Sequence, residues 1–503
     1  MNAVEQLLGE AALARRGERI ALLCGDEAVS FRELAQRMQA SAAALGALGV
    51  RRGERVALLM RDTPECAAAW LGALHAGAVV VSVNPRLTSA ECRHVVDDSG
   101  ARFAIVDDSI AASQAALVAE LARSGRLVTT TRWRGQLRSA RPSPAAVDVG
   151  EEDAAFWLYS SGTTGKPKGM AFGHRAVLAV GDAFRAFGIG EGDRVFTTSK
   201  FYFAYGLEHA LLAPLALGLT SVLCADWPEA GPVLRTVQQH RPSAMFSVPT
   251  VYRRLLGEAA RELGAFRAMR RFVAAGERLS PQLFNQWRQA TGGELLNLYG
   301  MSETFCACMV TSPGTSNGER TGQPLAAVEV RLRDANDREP APGDPGVLWV
   351  RHPAMTGGYH GLPEQTREQF RDGWFCSRDV FLRDGEGHFT HQGRSDELLK
   401  VAGQWVRPGE VEEAASLDPA VVEAACVPVL DGDGLQRLAL FVTMRTDTAD
   451  AARAAAAACE RALPPHKRPK WVRAVAELPR TATGKVQRFK LREILERELS
   501  GKT

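Results

Sequence analysis

The sequence has almost no surplus of either charge. Its 61 Lys and Arg against 58 Asp and Glu leave a formal net charge of +3 over 503 residues. That is too little to mark a binder of nucleic acid or of a membrane surface. Its nine cysteines include no CxxC pair and no Cys/His zinc spacing, so a structural zinc site is not expected, and scattered, mostly buried, reduced thiols are. No clean apolar run of about 20 residues is present. The two longest uncharged stretches, Cys66–Pro85 and His209–Ala225, are interrupted by His75, Asn84, Pro214 and Gly218. They read as helix-then-strand units. The opening MNAVEQLLGEAALARR has early acids and no apolar core segment, unlike a secretory signal. A soluble, cytoplasmic protein is the expectation.

What is present is an ordinary globular composition, 46% hydrophobic and 24% charged, long enough for at least two domains. Apolar, β-branched runs at Arg55–Met60, Ala78–Val83 and Arg102–Val106 alternate with helical patterns such as CAAAWLGALHAG. The alternation resumes with strands expected at Arg194–Thr198, Ser221–Leu223, Ala244–Val248 and Arg271–Ala275, and helices at Pro249–Leu263 and Pro281–Thr291. Strands alternating with helices imply βαβ units and parallel sheets. From 320 to 395 turn residues become dense and strands short, which predicts a β-rich section without long helices. After it comes a helix–strand–strand–helix–strand series, a small α+β unit of about 100 residues. Its start has no Pro/Gly linker, so a boundary there would be a short hinge near Asp396, dividing the chain into 1–395 and 396–503.

The stretch YSSGTTGKPKGM, Tyr159–Met170, follows the apolar run Phe156–Tyr159. A helical pattern resumes near Arg175. Glycines there allow positive φ and close approach, so backbone N–H groups can face an anion. Ser160, Ser161, Thr163 and Thr164 add hydroxyls, and Lys166 and Lys168 add charge. Yet Gly165-Lys166 is followed by Pro167, so the G-x-x-x-x-G-K-[ST] phosphate loop is absent. Gly188, Gly190 and Gly192 likewise fail the G-x-G-x-x-G dinucleotide spacing.

Taken with five other segments in order, this loop resembles that of the acyl-adenylate-forming ligases, the superfamily of acyl-CoA synthetases, luciferases and adenylation domains. AAGERL (274–279) and NLYGMSET (297–304) resemble its adenine and magnesium segments. WFCSRD (374–379) resembles the ribose segment, GRSDELLKVAGQWVRPGEVE (393–412) the hinge and following loop, and PRTATGK (479–485) the terminal lysine loop. The resemblance spans about 30 to 495. YFAYGL (202–207) and TATGKVQRFKLRE (481–493) are similar to the benzoate-CoA ligase branch.

The resemblance implies a large parallel-sheet domain with a small β-barrel-like section and a small, mobile α+β domain. It implies ATP, Mg2+ and coenzyme A. A carboxylate attacks the α-phosphate of ATP to give acyl-AMP and pyrophosphate, and a thiol then displaces AMP. Residues Ser160, Ser161, Gly162, Thr163, Thr164, Gly165, Lys166 and Lys168 would hold the phosphates. Gly276, Glu277, Asn297, Leu298, Tyr299, Gly300 and Ser302 would surround the adenine and neighbouring phosphate. Asp379 and Arg394 would hold the ribose, Glu303 the magnesium, and Lys485 would offset the charge where carboxylate meets α-phosphate. Asp396 matches the hinge and Gly403 the thiol tunnel.

Ala204, Tyr205, Gly206, Gly300 and Met301 would form the acyl site. Ala204 stands where amino-acid-activating relatives place an Asp, so a planar aryl acid is favoured, benzoate or a substituted benzoate. The segment departs from the branch at Glu208, where a small residue is expected, and at GMSETFCACM, which lacks a histidine. A solvated charge is the commoner role for a residue such as Glu208, and contact with a ring substituent the alternative. PHKRPK (465–470) offers either a contact to the CoA phosphates or a solvated basic turn. Free CoA is the expected acceptor. A short- or medium-chain fatty acyl-CoA ligase, a stand-alone enzyme loading a carrier protein and a non-catalytic nucleotide-binding protein are the alternatives. No nucleic-acid or membrane partner is expected. A homodimer and an acetyltransferase modifying Lys485 are partners the resemblance leaves to be tested.

Overall fold

The computed structural model describes residues 2–142, 145–161, 166–395, 399–401, 404–432, 434–444, 451–480 and 486–499. The chain divides into two compact units. The first comprises Met1–Arg331, Trp349–Ser377 and Arg383–Thr390, and the second Leu332–Leu348, Arg378–Leu382 and His391–Thr503.

The first unit holds two sheets built as the alternation predicts. In a nine-stranded sheet, Ile20–Cys24, Thr220–Leu223, Arg194–Thr197, Ala244–Ser247, Arg271–Ala274 and Leu295–Gly300 lie side by side, all parallel. Antiparallel strands finish its edges, Glu27–Ser30 on one side, Ala307–Val310 and Gln323–Pro324 on the other. A six-stranded sheet runs Leu127–Thr129, Phe103–Val106, Arg55–Leu59, Val79–Ser82, Ala154–Ser161, Pro167–Gly173. Strands such as VVVS at 79–82 are buried at every position, as expected of parallel strands covered on both faces.

Helices start where local chemistry dictates. Thr63 accepts from the Cys66 N–H ahead of Pro64–His75, which has Pro at its first position. Ser30 and Glu33 form a reciprocal capping box before Phe31–Ala47, satisfying N–H groups the helix cannot bond itself. Pro249–Glu258 stops short of the expected Leu263, and the chain continues into a 3-10 turn, Leu263–Phe266. Trp287 on Pro281–Thr291 anchors the core under this sheet, with the rings of Tyr252, Phe266 and Phe272 edge-on at 4.8–5.5 Å.

The turn-rich stretch folds as short strands, Glu329–Arg333, Gly346–Arg351, Phe370–Arg371, Trp374–Arg383 and Phe389–Arg394, in a five-stranded sheet. One helix of seven residues, Pro363–Gln369, interrupts it.

In the second unit Val421–Leu430, Gln436–Met444 and Trp471–Ala474 form a three-stranded sheet. Alternate residues serve opposite faces. Cys426, Leu438, Leu440 and Val442 pack with Val411 and Ala415 of Pro408–Ala415 and with Ala455 and Cys459 of Ala451–Ala462. Ala425, Val427, Ala439 and Phe441 pack with Leu491 and Leu495 of Arg488–Leu499, a helix the sequence reading did not delimit. Among the described residues, no helix is long and apolar enough to cross a membrane.

Candidate active site

Ligands of open parallel sheets bind beyond the carboxyl ends of the strands. In the first unit those ends carry the segments singled out in the sequence. Beyond Arg271–Ala274 the chain turns at Gly276, whose φ of +81° suits glycine. Glu277 beside it is held in place by Thr250, whose N–H and Oγ1 donate to its carboxylate at 3.2 and 2.7 Å. Leu295–Gly300 ends the adjacent parallel strand. Asn297 and Leu298 are buried within it, Tyr299 is partly exposed and Gly300 exposed. Asn297 Nδ2 donates to the Arg320 carbonyl at 3.1 Å, so its amide fixes the neighbouring loop.

The strand from the expected phosphate loop does not lead into a helix. Ala154–Ser161 and Pro167–Gly173 pair antiparallel, with Ser160 opposite Lys168. Helix His174–Leu178 begins only after this hairpin. The sequence suggests a glycine-rich turn leading from the strand toward a helix near Arg175, and a second strand intervenes instead. In PKGMAFG the adjacent Gly169 and Met170 are both buried, and its pairing with Ala154–Ser161 is what makes it a strand. Gly162, Thr163, Thr164 and Gly165 lie outside the described residues, as do Asp396, expected at the hinge, Gly403 and Lys485. Lys166 is exposed.

A residue the sequence reading did not single out ties this hairpin to the acidic turn. Tyr359 Oη donates to Glu303 Oε1 at 2.7 Å, and Lys168 Nζ stands 5.3 Å from the centre of its ring. Around it, the His360 N–H donates to the Gly169 carbonyl at 2.8 Å, and Thr356 N–H to the Glu303 carbonyl at 3.0 Å. Ser302 and Glu303 sit on a 3-10 turn, Ser302–Thr304, and both are partly exposed. A partly exposed carboxylate on a fixed turn, beside a lysine-bearing hairpin, is the oxygen donor that Mg2+ takes together with phosphate oxygens. The site residues fit that ion. The glycine-rich TGGYHG at 356–361 was the available signal for Tyr359.

The segment expected to form the acyl site is a short helix, Ala204–Leu207, continued by a π-helical turn, Glu208–Leu212. Ala204 and Tyr205 are partly exposed. Gly206 is buried against the Lys200 backbone, and a Cβ there would lie 2.1 Å from the Lys200 carbonyl oxygen. Met301 is partly exposed beside Gly300. Glu208 is not the solvated charge expected: only 2% of it is exposed. Burial pushes its carboxyl up to about 8, against the opposing pull of hydrogen bonds from the Ala307 N–H and the Cys306 thiol. Burial raises the Cys306 thiol as well, and Cys306 and Cys308 are buried, as expected of inert thiols.

In the second unit Asp379, partly buried, has His391 Nε2 at 3.6 Å and Arg394 Nη1 at 3.8 Å from its Oδ1. Arg378 before it has φ +60°, an uncommon backbone for a non-glycine residue. In the basic turn Lys467 pairs with Glu410, and Lys470 with Asp431 at 3.0 Å.

An α/β protein with acidic, glycine-bearing and aromatic loops gathered at parallel strand ends, beside a lysine-bearing hairpin, belongs to the class that handles nucleotide phosphates. The comparisons narrow the class. The AMP-binding enzyme family matches residues 9–360, and the AMP-binding enzyme C-terminal domain residues 410–485. The chain belongs to the AMP-binding enzyme family. It is 38% identical, over 99% of its length and 98% of the relative's, to a 3-hydroxybenzoate–CoA/4-hydroxybenzoate–CoA ligase of Thauera aromatica. Among solved structures, the anthranilate CoA ligase AuaEII in complex with anthranoyl-AMP is 30% identical, with a TM-score of 0.91 over 98% of this chain and 97% of that one. A benzoate CoA ligase from Burkholderia xenovorans LB400 is 32% identical, with a TM-score of 0.88 over 98% and 100%. The fold class and the benzoate-CoA branch read from the sequence both stand.

Proposed function

We propose that this protein is an ATP-dependent, AMP-forming acid–CoA ligase acting on benzoate or a substituted benzoate. The observation that carries the reading is the meeting of Glu303 and Lys168 on one residue, Tyr359, in a chain 38% identical from end to end to an aryl-CoA ligase.

The chemistry follows from the residues. The carboxylate oxygen bonds to the α-phosphorus of ATP as pyrophosphate leaves; the CoA sulfur then bonds to the acyl carbon as AMP leaves. The first step brings two anions together, and Lys485 supplies the ammonium that offsets their repulsion as charge builds on the α-phosphoryl oxygens. Lys166, Lys168 and the hydroxyls of 160–164 hold the departing β- and γ-phosphates. Magnesium, when bound, neutralises phosphate charge, and Glu303 would hold it. Tyr299 and Gly276 accept the adenine, with Glu277, Asn297, Leu298, Gly300 and Ser302 shaping that wall. Asp379 accepts both ribose hydroxyls, and Arg394 supports the ribose. The acyl group lies against Ala204, Tyr205, Gly206, Gly300 and Met301.

The same lysine cannot occupy the path of the thiol. Residues 396–503 therefore act as a domain turning about Asp396 after 1–395 has formed the adenylate, with Gly403 lining the thiol path. Cytoplasmic location, a homodimer and acetylation of Lys485 belong to the proposal, the last because acetylation would remove the charge that step one needs.

The test is carboxylate-dependent ATP–pyrophosphate exchange over a panel of benzoates, short- and medium-chain fatty acids and amino acids, followed by thioester detection with CoA. Exchange with a benzoate and thioester on CoA addition are expected. Exchange with fatty acids alone, or no exchange with any acid, would overturn the reading.

A further inference from the structure

Glu208 and His209 open a π-helical turn, Glu208–Leu212, straight after the acyl-site helix. Such turns insert a residue into a helix and occur frequently at functional sites. His209 is fully buried. Its Nδ1 lies 3.0 Å from the Tyr205 carbonyl, an acceptor, so Nδ1 carries the proton. Nε2 is then an acceptor, and among the described residues it is buried with no hydrogen-bond partner. The rings of Phe184, Tyr205 and Phe246 enclose it at 5.4, 4.8 and 4.6 Å between centres. Glu208 Oε2 lies 3.4 Å from His209 Nδ1, so two polar groups are sequestered side by side in an aromatic wall. Leaving such a group unpaired is costly, so a fold keeps it only where something offsets that cost.

The same pair lies one backbone layer from an exposed surface. Ala307, whose N–H donates to Glu208, pairs across the antiparallel ladder with Gly300, which is exposed. A Cβ on Gly300 would lie 3.2 Å from the Cys306 carbonyl oxygen. Cys306 and Ala307 are delivered there by strained backbone. The Cys306 N–H donates to the Thr304 carbonyl at 2.7 Å, and Phe305 between them has φ +61° and ψ −58°, a γ-turn of the rare, strained hand. Phe156 and Phe172 hold the Phe305 ring at 4.8 and 5.6 Å. Strain of this kind persists where the surroundings over-determine it, and it clusters at ligand clamps.

We propose that Glu208 and His209 determine substrate choice by reading a hydrogen-bonding substituent, hydroxyl or amino, on the ring of the aryl acid. The inference rests on the aryl-CoA ligase reading and assigns that reading its substituted substrate. A phenol or aniline N–H or O–H donates to His209 Nε2 and finds a second partner in the Glu208 carboxyl. A methyl group of the same size leaves His209 Nε2 without a donor. Sites built to hydrogen-bond a substrate group reject the analogue lacking it far more strongly than apolar pockets reject a change in size.

The experiment measures kcat/KM for CoA thioester formation with 3-hydroxy-, 4-hydroxy-, 2-amino- and the matching methylbenzoates. Wild type is compared with Glu208→Gln and Glu208→Leu. Each preference is a ratio taken within one protein sample, so loss of folded enzyme cancels. Wild type should prefer one hydroxy- or amino-benzoate over its methyl isostere by more than ~30-fold, on the scale of a lost buried hydrogen bond. Which isomer wins identifies the substituent. Glu208→Gln should keep the preference within ~5-fold and Glu208→Leu bring it to within ~3-fold of unity. A wild type that turns over benzoates without this preference would overturn the inference while leaving the ligase reading intact, and so would an unchanged ratio in Glu208→Leu. Should Glu208→Leu fail to fold, the wild-type ratio and that of Glu208→Gln still decide. Absence of turnover with every aryl acid would overturn both readings.

Discussion

Replacing Glu208 by glutamine should make the protein's stability less sensitive to alkali. In the fold the carboxyl is raised from 4.5 to about 8, chiefly by burial, with Asp182 adding a smaller push the same way. Between those two values the folded state binds more protons than the unfolded state, so stability falls as pH rises. At about 1.4 kcal/mol for each pH unit, the wild type should lose roughly 3.5 kcal/mol from this group between pH 5 and pH 8, with the loss levelling off above 8. Glutamine does not titrate, and its packing and hydrogen-bond differences shift stability equally at every pH. The other polar groups facing Glu208, namely Tyr205, His209, Cys306, Cys308 and Asp182, with His352 behind Ala307, are present in both proteins, so their own titrations cancel to first order. Unfolding entropy near 2.1 cal/mol/K per residue gives the first unit, about 370 residues, roughly 0.8 kcal/mol/K. The melting temperature of Glu208→Gln relative to wild type should therefore rise by about 4–5 °C from pH 5 to pH 8. Differential scanning fluorimetry of both proteins in matched buffers reads this directly. A gap that stays constant across that range, or widens toward acid, would refute a buried, largely neutral Glu208.

Tyr359→Phe removes the hydroxyl that donates to Glu303; hydrogen bonds to charged groups are worth about 1.5–3 kcal/mol, so exchange should fall ~10–100-fold and half-saturation with Mg2+ should rise, as a metal titration of the exchange rate would record. Lys485→Ala should slow adenylation at least ~100-fold yet spare thioester formation from supplied acyl-AMP; equal loss of both half-reactions would remove Lys485 from its role. Gly206→Ala puts a methyl 2.1 Å from the Lys200 carbonyl oxygen, and the backbone shift it forces should destabilise by about 1–3 kcal/mol or more, visible as a lowered denaturation midpoint; an unchanged midpoint would contradict the tight approach.

The parallel strands were legible because they are runs of consecutive apolar residues. VVVS at 79–82 and AMFS at 244–247 are buried throughout, and no other local pattern competes for them. Pro281–Thr291 was legible at both ends, since Ser280 caps it, proline opens it and Gly292 follows with φ +81°. Pro167–Gly173 was not, because its proline and two glycines argue for a turn. Only pairing with Ala154–Ser161 makes it a strand.

The site shows the same division. Glu303, Tyr299 and Asp379 stand in ordered segments that resemble those of acyl-adenylate-forming enzymes, so the sequence by itself determined the class of enzyme and supplied the candidates proposed for its phosphate, metal and ribose groups. Tertiary structure decided what depends on distance through space. Tyr359 reaches Glu303 across 56 positions of chain. Glu208 looks like a surface charge until Ala307 and Cys306, about 100 residues on, close over it. The left-handed twist at Phe305 is unfavourable for an aromatic residue locally, and is held by rings from two other strands. Local sequence sets propensity and chemical type, while burial, orphaned acceptors and strain arise only when distant segments pack.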